Sequence, residues 1–96
     1  MVLHTLSATP ASVAFRDCLA VLNENDAVLL LGDGTYAALP DNPYLKKLLG
    51  KGAELYLLDD DARAAGVNQC DSSITAIDMD GFVDLTERFT RQMNWF

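Results

Sequence analysis

Asn23-Glu24-Asn25-Asp26-Ala27-Val28-Leu29-Leu30-Leu31-Gly32-Asp33-Gly34 is the stretch that decides the fold. Five apolar residues, Ala27 to Leu31, run without interruption between a polar turn and a glycine turn. A strand with one face in water alternates apolar and polar residues; an unbroken run is buried on both faces, as in a central parallel strand. The run is also far too short to cross a bilayer. Gly32-Asp33-Gly34 then breaks the strand, a tight turn for which glycine is needed on backbone grounds alone.

Outward from this strand, short apolar runs alternate with amphipathic stretches, the pattern of βαβ units. Val2–Leu6 reads as the first strand. Thr9 and Pro10 read as N-cap and first helical position of a helix reaching about Asn23, with Phe15, Cys18, Leu19 and Leu22 on one face. After the glycine turn, residues 35–39 suit a helical turn or a short lid, and residues 44–49 a short helix. Glu54–Leu58 reads as the third strand, followed by a brief helix capped by Asp59-Asp60-Asp61 and stopped by Gly66. Ser73–Ile77 is a weaker fourth strand. A last helix begins near Asp80, with Phe82, Leu85, Phe89 and Met93 as its apolar stripe, and no fifth strand stands out after it. The expected fold is α/β: one small three-layer domain over residues 1–96, with a mostly parallel sheet of four or five strands and helices on both faces.

Composition narrows the function. Fourteen acidic residues against seven basic ones give a formal charge of −7. Phosphate backbones are gripped mainly through Lys and Arg, so direct nucleic-acid binding is not expected. The basic residues are also scattered: Arg16, the Lys46-Lys47-Lys51 group, Arg63, Arg88 and Arg91. The opening residues lack the basic start and apolar stretch of a signal peptide, which favours a cytoplasmic location without membrane attachment.

The candidate chemistry is sparse. Cys18 and Cys70 form neither a CxxC pair nor a zinc spacing, and His4 is the only histidine, so no metal or cofactor is expected. His4, inside the first strand, is more simply a hydrogen-bonded structural residue than a catalytic base. Cys18 lies on the apolar side of its helix beside Asp17, with no activating charge, as a core filler does. The Asp33, Asp59, Asp60 and Asp61 carboxylates fall at the carboxyl ends of strands, where an open α/β sheet binds ligands, and could serve a stand-alone Mg²⁺ or small-molecule site. Helix capping accounts for the same residues.

Three blocks carry a resemblance. Leu3-His4-Thr5-Leu6, then Leu29 to Gly34 with Tyr36-Ala37-Ala38, then Ile77-Asp78-Met79-Asp80-Gly81-Phe82-Val83-Asp84-Leu85-Thr86 leading to Trp95, resemble the TusB/DsrH family. Leu55-Tyr56-Leu57-Leu58, with Arg63 and Gly66, falls in the same order. The resemblance implies a DsrE-like fold and a cytoplasmic sulfur-relay complex, a heterohexamer with TusC/DsrF-like and TusD/DsrE-like subunits. It further implies persulfide transfer toward 2-thiolation of the tRNA wobble uridine, with this chain an accessory subunit that is not catalytic alone. Cys18 falls where DsrH-like members carry a cysteine, which makes it the candidate persulfide carrier under the alternative of a sulfur-oxidation complex. A homodimer of the isolated chain is a further expectation.

Overall fold

A computed structural model describes residues 1–96. Its elements, in chain order, are β1 (Leu3–Leu6), α1 (Val13–Val21), β2 (Ala27–Leu30), a 3-10 segment (Gly32–Ala38), α2 (Pro43–Leu49), β3 (Glu54–Leu58), α3 (Asp59–Ala64), β4 (Thr75–Ile77), α4 (Met79–Arg88) and β5 (Gln92–Trp95). The strands form one sheet in the order β4-β3-β2-β1-β5, and every pairing is parallel.

β2 is the middle strand, as its unbroken apolar run requires. Its side chains divide between two cores by simple alternation. Val28 and Leu30 face a cluster with Phe15, Cys18 and Leu22 of the α1 region, Leu45 and Leu48 of α2, and Ala62 of α3. Ala27 and Leu29 face a second cluster with Leu3, Leu58, Leu85 and Phe89, covered by α4. Three successive crossovers thus run over one face, and the chain returns across the other to place β5 beside β1. This is the three-layer α/β arrangement expected from the sequence. No helix is long and apolar enough to cross a membrane.

Three local expectations are corrected. Helix α1 starts at an N-cap of Ser12, whose Oγ accepts from the Phe15 amide at 3.1 Å, while Thr9 and Pro10 belong to the preceding turn. Of the two readings for residues 35–39, the helical turn holds and the lid does not: they belong to a longer 3-10 segment that starts at Gly32, with Gly34, Thr35, Ala37 and Ala38 buried. The final helix stops at Arg88, because Phe89 takes extended dihedrals of −106° and 119°. Residues 92–95 then pair with β1 along its whole length. Met93 therefore leaves the helical stripe and stands opposite His4 in the sheet.

The glycine turn after β2 has a steric basis at each glycine. Gly32 holds φ at +52°, a left-handed value that costs other residues energy. At Gly34 the constraint is approach: an added Cβ would lie 2.1 Å from the Leu6 carbonyl oxygen. The 3-10 segment can lie over the end of β1 only because that position carries no side chain.

Candidate functional site

His4 sits on β1, an interior strand of the sheet, with 1% of its surface exposed. Parallel pairing brings β5 to one side of it and the start of β2 to the other. Trp95 Nε1 donates to His4 Nδ1 at 3.1 Å. An indole nitrogen can only donate, so Nδ1 is the bare nitrogen and the proton resides on Nε2. That proton is given to Asp26 Oδ2 at 3.0 Å. The imidazole is therefore neutral in this arrangement.

Asp26 is buried and gathers further donors: the Val2 amide at 2.9 Å and the Asn23 amide at 3.0 Å. Burial alone would raise its carboxyl. The His4 hydrogen bond and the two amides outweigh that penalty and hold the group below its ordinary value, as a carboxylate. Every donor and acceptor of the Trp95–His4–Asp26 chain is satisfied, and no buried side-chain polar atom in the protein is left without a partner. Asp26 and Trp95 were not singled out as a pair with His4 from sequence. The available signals were an aspartate immediately before the central strand and a histidine near the start of the strand that pairs with it.

Cys18 lies on the inward face of α1 with none of its surface exposed. Burial, and secondly the negative charge of Asp26, push its thiol up to about 12. At neutral pH the sulfur is a protonated, enclosed thiol, whereas sulfur acceptance needs an accessible thiolate. Cys70 is partly exposed in the segment between α3 and β4, packed at the margin of the same core, and also unpaired.

The acidic residues at the carboxyl ends of the strands do not converge. Asp59 and Asp60 are held by Arg63, at 3.1 and 2.8 Å. Asp61 accepts the Gly32 amide at 2.8 Å, pinning the start of α3 to the glycine turn. Asp33 and Asp61 line a cleft of about 290 Å³ with Tyr36, Ala64 and Ala65. No group of three His, Cys, Asp or Glu side chains is gathered as metal ligands. The expected capping by Asp59-Asp60-Asp61 is not seen, since α3 begins after Leu58 with no side-chain cap and the three aspartates fill its first turn. They act as ion-pair partners and as a tie, so the alternative of a Mg²⁺ site at these residues loses its donor set.

The structure brings Arg16 together with part of the lysine group, two sets that are separate in sequence. Arg16 of α1 faces Lys47 of α2 and Lys51 just beyond it, across a groove whose floor includes Leu19, Ala20 and Gly50.

Comparison with known proteins places these features in a family. Residues 9–92 match the family model described as DsrH like protein. Protein TusB of Shigella dysenteriae serotype 1 is 39% identical over 97% of this chain and 99% of its own length. Protein TusB of Salmonella enteritidis PT4 is 38% identical with the same coverage. Among solved structures, the ychN protein from E. coli superposes with a TM-score of 0.75 at 12% identity, covering 97% of both chains. The Tm0979 protein from Thermotoga maritima gives 0.69 at 23% identity, over 92% of this chain and 93% of that one. These two likenesses bear on the fold alone.

Proposed function

The chain belongs to the TusB/DsrH family, and from that membership we propose that it is an accessory subunit of a cytoplasmic sulfur-relay complex. Its partners are TusC/DsrF-like and TusD/DsrE-like subunits, two copies of each protein forming a heterohexamer. The sulfur passes as a persulfide toward 2-thiolation of the wobble uridine in tRNA.

One observation carries the division of labour. The cysteine at the family position, Cys18, is enclosed and its thiol is raised to about 12. A persulfide carrier must meet the donor's sulfur in line, as a thiolate with an open face. Cys18 fulfils neither requirement in the folded chain, so we assign it to packing and the transfer to a cysteine of a partner subunit. The acidic surface supports the same division, since a subunit that completes an assembly has no need of a basic face for tRNA.

Co-expression with TusC- and TusD-like proteins tests the assembly directly: the three should purify together through size exclusion, and a chain that elutes alone refutes the reading. Incubating the assembled complex with a cysteine desulfurase and ³⁵S-cysteine tests the transfer. Label should reside on the TusD-like subunit and be unaffected by Cys18→Ser. Label on this chain that Cys18→Ser removes would instead make Cys18 a carrier, as a sulfur-oxidation role requires.

A further inference from the structure

We propose that the groove between α1 and α2 docks an acidic amphipathic helix of a partner protein. The proposal stands on the distribution of charge and does not depend on the sulfur-relay reading.

Seven basic residues are set against fourteen acidic ones in this chain. Two of the cations are neutralised locally: Arg63 by Asp59 and Asp60, and Arg88 by Glu54. Lys47 and Lys51 make no ion pair, and Arg16 reaches only its neighbour Asp17, at 3.9 Å with both side chains largely in solvent. Five cations remain outside the Arg63 and Arg88 pairs; three of them line one groove, Arg16 on the α1 wall and Lys47 and Lys51 on the α2 side, while Arg91, also without an ion pair, lies between α4 and β5. Lys46 is a further cation on α2 but does not line the groove, and Glu24 lies beside Gly52.

The groove has two compartments, of about 520 and 210 Å³, which share Arg16, Leu19 and Lys47 and so form one trough. Apolar surface supplies its floor: Leu19 and Ala20 in one compartment, Tyr44 and Val13 in the other, with Val13 61% exposed. α1 is nine residues long, so its wall extends roughly 14 Å, which suits about two and a half turns of a helix. Cations on both walls above an apolar floor match a ligand with carboxylates on both flanks of an apolar stripe. A helix has that form, with anchors at i, i+3, i+4 and i+7. An extended strand puts alternate side chains on opposite faces and meets the floor with only one of them.

RNA fits less well. The only aromatic ring lining the trough is Tyr44, which packs edge-on against Phe15 and already carries Lys47 over its face at 5.0 Å. It offers no free stacking platform, and the net charge of −7 opposes a phosphate backbone.

The test uses the full chain and a fluorescein-labelled peptide of about fourteen residues with leucines at i, i+3, i+4 and i+7 and glutamates beside them. Anisotropy should report saturable binding that weakens roughly tenfold in the double variant Lys47→Glu, Lys51→Glu and, separately, in Ala20→Glu. Thermal melts of the variants establish that they are folded, both sites being exposed. A scrambled peptide of identical composition that binds as tightly overturns the proposal, since charge alone would then explain the association. A single-stranded RNA 12-mer that displaces the peptide at lower concentration overturns it in favour of nucleic acid. Absence of saturable binding up to millimolar peptide also overturns it.

Discussion

Trp95 Nε1 donates to His4 Nδ1 at 3.1 Å, and through this contact the outermost strand β5 is tied to the carboxylate at the foot of β2. The bond fixes the imidazole tautomer, because an indole has nothing to accept with. Replacing Trp95 by Phe keeps most of the apolar volume and leaves Nδ1 without a donor in a buried site. The expected loss is about 1–2 kcal/mol, seen as a fall of roughly 5–10 °C in Tm for a domain of this size. An unchanged melting temperature would show that the hydrogen bond contributes nothing net.

Asp26 gives the chain an acid limit. Its carboxyl is held below the ordinary value when folded, against the pull of burial, by His4 and the amides of Asn23 and Val2. A group whose folded pKa is depressed contributes stability that is present above its unfolded pKa and lost as pH falls through the folded one. Native stability should therefore decline below about pH 4, and Asp26→Asn should flatten part of that decline while costing about 2 kcal/mol near neutrality. Urea titrations at a series of pH values measure both effects. A variant that declines with acid as steeply as the native chain would remove Asp26 from the account.

Cys18 and Cys70 should behave as two different thiols. Cys18 is enclosed and raised to about 12, whereas Cys70 is partly exposed. Iodoacetamide at pH 8 should alkylate Cys70 in the native chain and reach Cys18 only after denaturation, as mass spectrometry of the digest will report. Cys18→Ala should cost about 1 kcal/mol through the space it leaves. Native-state alkylation of Cys18 at the rate of Cys70 would show that the core opens there.

Gly34 and Gly66 separate two reasons for glycine. An alanine Cβ at Gly34 meets the Leu6 carbonyl oxygen at 2.1 Å, a backbone atom that cannot turn aside. At Gly66 φ is +80° but the space around is open. Gly66→Ala should cost about 1 kcal/mol from backbone strain, and Gly34→Ala about 3 kcal/mol or more, with β1 and the 3-10 segment forced apart. Equal costs in chemical denaturation would mean that the 3-10 segment is free to lift.

The legible parts of the fold were those fixed by local pattern. Ala27–Leu31 announced a central strand because burial on two faces leaves no position for a polar residue. Glu54–Leu58 and the aspartates after it announced a strand passing into a helix by the same local logic. β5 was hidden because nothing at residues 89–91 breaks a helix: there is no glycine or proline, and Met93 continues the spacing of Phe82, Leu85 and Phe89. What converts those residues to a strand is the vacant edge of β1, a partner some ninety positions away. Asp26 was hidden for a related reason. In sequence it is one polar residue of a turn, and only the alignment of β1 with β2 brings His4 to its carboxylate. The basic trough likewise exists only once α1 and α2 lie side by side.

The pairing of β1 with β5 also has a consequence in time. β1 precedes both of its partners in the chain, and the partner for its inner edge, β2, follows within about thirty residues. Its outer edge receives no partner until residues 92–95 arrive, and Trp95 comes with them. Throughout elongation the nascent sheet thus exposes a row of unpaired amides beside a histidine whose Nδ1 has no donor. Such an edge invites strand pairing with neighbouring chains. Closing it requires contacts about ninety positions apart in sequence, whose loop-closure entropy must be met before the pairing rewards it.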